Sequence, residues 1–200
     1  MTNKKFKLAA MSLATAVAVS AVGPSASAVK YDLGEGSVTV DQDGNGAAYS
    51  YQSKTDGETE HVYVDQDTDD SGQIIITQAE GAPTDNTVTV KENVTNENGN
   101  RDVNIVVEGV NVDTSTQTDP PAEVSADTKE DKTIIKVGEG ADVDLTVKDS
   151  NLTTGGHGID IGVNLDDKDD NKGAKVDLTL DNTQINLTQN GKAGINVQDN

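Results

Sequence analysis

The feature that most constrains the fold of this chain is a phrase that it repeats. The stretch ADVDLTVKDSNL begins at Ala141, and AKVDLTLDNTQINL begins at Ala174, with nearly every apolar residue kept in its place. Within each copy apolar and polar residues alternate, and side chains with a period of two lie on opposite faces of a β-strand. The repeat therefore predicts equivalent strands whose apolar faces point into one core.

Further copies extend the repeat along the chain. GIDI from Gly158 matches GINV from Gly194, and DVNIVVEGVNV from Asp102 matches DVDLTVKDSNL from Asp142. TIIKV from Thr133 supplies a third strand for that earlier unit. The phrases HVYV, QIIIT and TVTV predict another unit, and YDL, SVTV and AYSY one more. Each unit then holds three short strands.

Three strands per unit, with a variable unit length and little helical periodicity, are typical of a parallel β-solenoid. In such a fold each coil buries its apolar face only by stacking on the next coil. In-register stacking of the two best copies predicts pairs of neighbours on the outer wall. These pairs are Asp142 with Lys175, Lys148 with Asp181, Thr146 with Thr179, and the repulsive pair Asp144 with Asp177. The contacts between oppositely charged side chains in these pairs favour this register.

The N-terminal segment 1–28 predicts a cleaved signal peptide. Three lysines precede an apolar run over 8–22, and the ASA that ends at Ala28 provides the small residues that favour a cut before Val29. A transmembrane anchor is the alternative, but the run is shorter than the roughly 20 residues that a spanning helix needs. We therefore expect a signal helix over 1–28, an N-terminal β subdomain or capping coils over 29–85, and parallel β-helix repeats over 86–200.

The mature chain is strongly acidic and poor in aromatic residues. The whole chain has a net charge of −20, and the signal peptide holds three lysines and no acidic residue, so the mature chain carries −23. This charge disfavours nucleic acid and anionic membranes as partners, and no membrane insertion is expected after signal cleavage. The chain has no Cys, which excludes a disulfide framework. Its core must be aliphatic, with Tyr31, Tyr49, Tyr51 and Tyr63 as the only aromatic residues beyond Ala28.

The phrases YDLGEGSVTV, VNIVVEGVNVD and VDLTVKDSNL resemble the repeated strand phrases of exported proteins of the pectin-lyase-like superfamily. The similarity is greatest to surface-associated proteins of Gram-positive bacteria to which carbohydrate binding is ascribed. The resemblance covers most of 31–200. It implies an all-β, right-handed parallel β-helix and an adhesin-like protein of the cell surface. It carries over no catalytic residue, because no motif of the superfamily's enzymes can be matched.

Candidate catalytic groups are few. Lyases of the superfamily use a basic residue beside a uronate, whereas Arg101, the only arginine, lies in an Asn-rich turn. Hydrolases use clustered aspartates, and Asp144 with Asp177 forms a pair with no third aspartate in its column. His157 lies in a Gly-rich turn, and Ala193 stands at the equivalent place in the next copy, so we expect a surface position. No catalytic residue is predicted.

The two ligand classes that the residue types allow are sugars and calcium. A chain without Trp leaves Tyr49, Tyr51 and Tyr63 as the candidates for stacking on a sugar. DQDGNG begins like an EF-hand loop, but Gln52 stands where the bidentate Glu belongs, and the alternative is a hairpin or coil turn. The acidic runs DQDTDD and DDKDDNKG, the latter from Asp166, also lack the full pattern. The candidate calcium ligands are Asp41, Asp43, Asn45, Asp65, Asp67 and Asp69, and no other cofactor is expected.

The predicted function is a structural or adhesive role outside a bacterial cell of the Gram-positive type, either secreted or at the cell surface. The expected partner is an extracellular glycan or a host or cell-wall surface. The alternative is a carbohydrate-active enzyme (polysaccharide lyase or hydrolase) or a sugar-binding module of the same fold. A groove lined by Tyr and Asp would favour that alternative. GINVQDN ends in a strand without a polar cap, so we also expect further coils in a longer protein.

Overall fold

The computed structural model describes nine stretches of the chain. They are 28–43, 47–54, 57–58, 61–63, 73–79, 81–95, 103–116, 132–165 and 173–198. Residues 1–27 of the predicted signal helix lie outside them. Within these stretches the chain forms β-strands and one 3-10 turn at Leu33–Glu35, without an α-helix, so the predicted all-β class is confirmed.

In chain order the strands are β1 (Val29–Asp32), β2 (Gly36–Gln42), β3 (Ala48–Lys54), β4 (Gly57–Glu58), β5 (Val62–Tyr63), β6 (Ile74–Thr77), β7 (Val88–Val90), β8 (Val103–Glu108), β9 (Asn111–Asp113), β10 (Ile135–Gly138), β11 (Asp142–Lys148), β12 (Asn151–Thr154), β13 (Ile159–Val163), β14 (Lys175–Asp181), β15 (Gln184–Leu187) and β16 (Ile195–Val197).

The strands form three sheets. The first sheet has the order β1-β6-β8-β11-β14, and the third has the order β15-β12-β9. The second has the order β16-β13-β10-β7-β2-β3-β4, with β5 also paired to β3. All neighbours in the first and third sheets are parallel, and so are those from β16 to β2 in the second. The predicted parallel pairing is confirmed over most of the described chain.

Three successive sets of strands visit the sheets in the same order. We call these sets coils: β8–β10, β11–β13 and β14–β16 each pass from the first sheet to the third and then to the second. Before them, β6 and β7 occupy the first and second sheets, and Thr84 forms a single bridge to Val112 at the edge of the third. QIIIT and TVTV therefore take part in one unit, as predicted.

The register between copies is the predicted one. Asp142 pairs with Lys175, and the remaining pairs follow without a shift to Lys148 with Asp181. Val103 pairs with Val143, and Ile159 pairs with Ile195, as the alignment of the copies requires. The apolar alternation fixes this result, because a slip of one residue would turn every apolar side chain of a strand to solvent.

The interior between the sheets is almost entirely aliphatic. On β11, Val143, Leu145 and Val147 are at most 1 % exposed, whereas the residues between them are partly exposed. Burial of one such side chain contributes about 1.5–3 kcal/mol. Tyr31 is the one aromatic residue of the described core, with its hydroxyl oxygen 2.9 Å from that of Ser50. The alternate faces of these strands thus divide a mainly aliphatic interior from a polar wall.

The corner between the first and third sheets keeps one backbone conformation in all three coils. Gly109, Asp149 and Asn182 follow the last residues of β8, β11 and β14, with φ angles of 65°, 50° and 45°. This is the left-handed region, which Gly enters at little cost and which Asn and Asp tolerate best among the other residues. The residue types at these corners are therefore explained by backbone geometry.

The N-terminal end departs from the prediction. β2 and β3 form an antiparallel hairpin from Gly36 opposite Lys54 to Gln42 opposite Ala48, so AYSY is not the third strand of a coil. β5 pairs antiparallel with β3, so the assignment of HVYV to a further unit is also wrong. The antiparallel pairing of the flanking strands agrees with the hairpin alternative for DQDGNG, whose residues 44–46 lie outside the described stretches. Alternation with a period of two is the same in parallel and antiparallel strands, which explains the error.

The coil formed by β14–β16 is more exposed than the coil before it. Leu180 is 40 % exposed and Val197 is 68 % exposed, whereas Val147 and Ile161, their partners in β11 and β13, are at most 7 % exposed. Within the described residues, β14, β15 and β16 each have a strand neighbour on one side only. Stacking on one side therefore leaves part of their apolar faces open to solvent.

Candidate functional site

The outer wall of the first sheet carries the predicted charged pairs. Lys175 Nζ lies 2.9 Å from Asp142 Oδ1, which confirms the contact that the repeat predicts. Lys148 stands beside Asp181 in the register and makes an ion pair of 3.2 Å with Glu108 on its other side. Exposed pairs of this kind contribute about 0.2–1 kcal/mol each, so they favour the register more than they stabilise the fold.

The two aspartates weighed as a catalytic pair are neighbours on the same wall. Asp144 lies between Asn104 and Asp177 in adjacent strands. The third residue of the column is thus an amide, which cannot serve as a general acid or base. The column places two carboxylates and one amide side by side on an open wall.

His157 makes contacts within the turn between β12 and β13. Its Nδ1 accepts a hydrogen bond of 3.1 Å from the backbone N–H of Ala193, the residue at the equivalent place in the next coil. Its own backbone N–H donates to Thr133 Oγ1 at 3.3 Å. The histidine therefore links its own coil to both neighbouring coils, through its ring nitrogen on one side and its backbone N–H on the other.

Two of the calcium candidates lie at the β2–β3 hairpin. Asp41 Oδ1 accepts the backbone N–H of the following residue at 2.7 Å, and Asp43 Oδ1 accepts that of Ala47 at 3.0 Å. Gln52, at the place of an EF-hand's bidentate Glu, is 2 % exposed and donates to the Gly36 carbonyl at 2.9 Å. It faces the core, so an EF-hand arrangement does not form. Any calcium ion here would need a different set of ligands.

The other calcium candidates, Asn45, Asp65, Asp67 and Asp69, lie outside the described residues, as does most of the DDKDDNKG run. In the part of the chain that the structure describes, no three His, Cys, Asp or Glu side chains are grouped so that they could hold a metal ion. Calcium binding stays a prediction.

The tyrosines proposed for sugar stacking come together on the outer face of β3 and β5. We call Tyr49, Tyr51, His61 and Tyr63 the aromatic cluster. Tyr49 is at its centre, with ring centroids 4.5 Å from His61, 5.7 Å from Tyr63 and 6.2 Å from Tyr51. His61 also contacts Tyr51 at 5.1 Å. Tyr63 is 55 % exposed, so the cluster is open to solvent.

The local strand pattern explains why the cluster forms. In β3, Ala48, Ser50 and Gln52 are buried, so Tyr49 and Tyr51 point to the opposite face. The antiparallel pairing of β5 places Tyr63 directly opposite Tyr49. His61 precedes Tyr63 by two residues and therefore lies on the same face. Four rings thus meet on two neighbouring strands.

A carboxylate lies next to the cluster. Asp41 stands opposite Tyr49 in the hairpin register and accepts a hydrogen bond from the Tyr49 hydroxyl. Partial desolvation, followed by the negative charge of Asp41 and this hydrogen bond, raises the pKa of Tyr49 above its usual value of 10.0. Tyr49 therefore remains a neutral donor at physiological pH, and Asp41 keeps further acceptor capacity.

A polar cavity adjoins Asp41 on the other side. Its volume is about 220 Å³, and it is lined by Asp41, Lys91, Glu92, Asn93 and Leu165. These residues supply carboxylates, an ammonium and an amide. Asp41 thus lines the cavity and also stands opposite Tyr49 of the aromatic cluster.

A second, larger hollow follows the corner between the first and third sheets. Its volume is about 550 Å³, and its lining includes the left-handed corner residues Gly109, Asp149 and Asn182. Beside it Asn186 donates to Asn151 at 2.9 Å, and Asn151 donates to Asn111 at 3.2 Å. Here the polar side chains bond to one another along the stack, which indicates a role in holding the coils together.

Sequence reasoning found three of the four rings and missed His61. The signal was present, because HVY places a histidine and a tyrosine on one face of a strand. The cluster depends on the antiparallel pairing of β5 with β3, and alternation alone does not identify that neighbouring strand.

Among the described residues, no helix combines the length and the apolar character needed to cross a membrane. Comparisons with family models, with curated proteins and with solved structures found no match to this chain.

Proposed function

We propose that this chain is an exported bacterial protein of the cell surface, with a structural or adhesive role, whose three sheets are the walls of a right-handed parallel β-helix. The single observation that carries the proposal is the order of the chain through the sheets, which is the same in the three coils. A repeated path with a constant register is what a β-solenoid requires. Export is supported by the lysines, the apolar run and the ASA of the segment 1–28.

The outer walls suit adhesion because they repeat. Each coil adds another row of hydroxyl, amide and charged side chains at the same place on the first sheet. Weak contacts made in parallel by such rows raise avidity without one strong pocket. An acidic mature chain would be directed away from nucleic acid and anionic membranes, so the proposed partner is a glycan or a host or cell-wall surface.

Catalysis would require groups of different character close together, such as an acid beside a base with separated pKa values. The column of Asn104, Asp144 and Asp177 supplies carboxylates and an amide on an open wall. The alternative function, a polysaccharide lyase or hydrolase, would have to use these carboxylates. It is therefore tested with the same two aspartates.

The experiment has three readouts on protein secreted by a Gram-positive host. Mass spectrometry should find the N-terminus at Val29, and intact 1–28 on the secreted protein would contradict export by signal cleavage. The protein should adhere to immobilised bacterial cell walls or to mucin. It should release no reducing or unsaturated sugar ends from pectin, alginate, xylan or mucin glycans. Turnover that is lost in Asp144→Ala or Asp177→Ala would establish the enzymatic alternative, and absence of adhesion to every surface would refute the adhesive role.

A further inference from the structure

The aromatic cluster is placed where it cannot serve the core. Tyr31 is the one described tyrosine within the interior, whereas the other three tyrosines are gathered with His61 on the outer face of β3 and β5. The chain has four tyrosines and two histidines in all, so most of its aromatic and imidazole rings lie at this one site. Exposed clusters of large rings are typical of binding surfaces, since a partner that covers them removes apolar area from water.

The cluster is continuous with polar groups that can fix a ligand's orientation. Tyr49 bonds to Asp41, and Asp41 lines the cavity that also contains Lys91, Glu92 and Asn93. The cavity volume of about 220 Å³ is below the roughly 300 Å³ at which sites for drug-sized molecules begin. It therefore suits a single ring or a ring substituent, while the rest of a longer ligand would lie across the cluster.

A sugar ring matches both halves of this arrangement. A pyranose has an apolar face of C–H groups, which packs on an aromatic ring, and an edge of hydroxyls, which both donate and accept hydrogen bonds. Carboxylates accept, the ammonium donates, and the amide does both. Sites of this kind combine aromatic lining with a few placed polar groups.

The charge of the protein selects among glycans. The mature chain carries −23, and Asp41 and Glu92 are two carboxylates at the cavity itself. A uronate or sialate would meet like charge both at long range and at the site. A chain of neutral hexoses or N-acetylhexosamines would not meet this repulsion.

We infer that the aromatic cluster and the cavity beside Asp41 form one binding site for a neutral glycan chain. The outer rings contact pyranose faces, and Asp41, Lys91 and Asn93 bind hydroxyl groups at its end. This inference rests on the proposed adhesive function and names the site and the ligand class. A protein partner covering the rings is the competing occupant.

The test is calorimetric titration of the secreted protein with chitohexaose, cellohexaose and maltohexaose, with a galacturonate hexamer as the anionic comparison. At least one neutral hexasaccharide should bind, and the galacturonate hexamer should bind at least tenfold more weakly. Tyr63→Ala and Tyr51→Ala should each weaken binding about tenfold or more. Tyr51→Phe should retain most of the affinity, because it keeps the ring. Thr146→Ala, on the wall of the first sheet, is the matched control and should bind as the unchanged protein does.

The outcomes separate this inference from the proposed function. Unchanged melting temperatures in the Tyr63 and Tyr51 variants would show that lost affinity is not lost folding. If Tyr63→Ala destabilises the protein, the affinities of two other variants at the same site are compared instead. Asp41→Ala should weaken glycan binding, and Tyr51→Phe should retain most of it. Neutral glycans that bind equally well to all variants would overturn the site while adhesion stands. Adhesion to mucin or cell walls without affinity for any neutral hexasaccharide would overturn the ligand class and indicate a protein partner. Galacturonate binding as tight as that of the neutral chains would also overturn it.

Discussion

The side-chain amide of Asn182 donates a hydrogen bond to the Asp149 carboxylate at 2.7 Å, and both residues have a positive φ at the same corner of successive coils. The pair joins two features of the fold, a backbone turn that few residue types tolerate and a polar contact along the stack. Because Gly109 holds the same corner in the preceding coil, the corner conformation matters more than any one side chain.

The corner predicts a difference between two substitutions that remove the same hydrogen bond. Asp149→Gly should change the free energy of unfolding by less than about 1 kcal/mol, whereas Asp149→Val should cost about 1–3 kcal/mol more, because a β-branched residue is strained at positive φ. Chemical denaturation of both variants measures the difference. Equal stability of the two would mean that φ at this corner is not the constraint.

A second prediction concerns the two faces of β11. Leu145 is 1 % exposed and pairs with Ile105 and Leu178, so Leu145→Asp should place a charge in the aliphatic interior and cost several kcal/mol. Thr146→Asp, one residue further on the outer wall, should cost well under about 1 kcal/mol. Urea unfolding followed by circular dichroism compares them. Similar losses would contradict the assignment of faces.

Burial predicts a loss of stability at high pH. Desolvation raises the pKa of Tyr31 above 10.0, although its bond to Ser50 acts in the opposite direction. A raised pKa in the folded state means that this tyrosine's contribution is complete below about pH 10 and declines as the pH rises above it. Tyr49, whose pKa is also raised, acts in the same direction.

Melting temperatures at pH 8 and pH 11 measure this dependence. Tyr31→Phe should reduce the difference between the two pH values without abolishing it. The double variant Tyr31→Phe with Ser50→Ala is the control, because it also removes the buried serine hydroxyl that the single variant leaves without its tyrosine partner. The same pH dependence in the original protein and in both variants would exclude Tyr31 as a source.

Calcium is tested through the melting temperature at constant ionic strength. Millimolar calcium should raise it modestly, since an ion that binds the native state stabilises that state. Asp43→Asn should reduce the rise, because it removes charge but leaves an oxygen that can accept the Ala47 N–H. Asp181→Asn, at the C-terminal end of β14, is the control and should leave the rise unchanged. No response of the original protein to calcium would exclude the predicted sites together.

The sequence predicted the parallel part of the fold in detail and the N-terminal end only in part. Once Val143 is aligned with Val176, alternation sets every other pair of β11 and β14, and the structure has these pairs. The same alternation in AYSY identifies the face of Tyr49 but not the neighbouring strand. Antiparallel pairing with β5 therefore remained hidden, and with it the contact between Tyr49 and His61.

Because the tyrosines are unevenly placed, tyrosine fluorescence reports on one end of the stack and not on the other. All four lie between Tyr31 and Tyr63, and the chain has no Trp, so tyrosine emission follows only the strands near the hairpin. Far-ultraviolet circular dichroism follows the strands of every coil. If the exposed coil β14–β16 comes apart before the rest, the dichroism will change at a lower urea concentration than the emission. The gap between the two midpoints would then measure how strongly each coil depends on its neighbour.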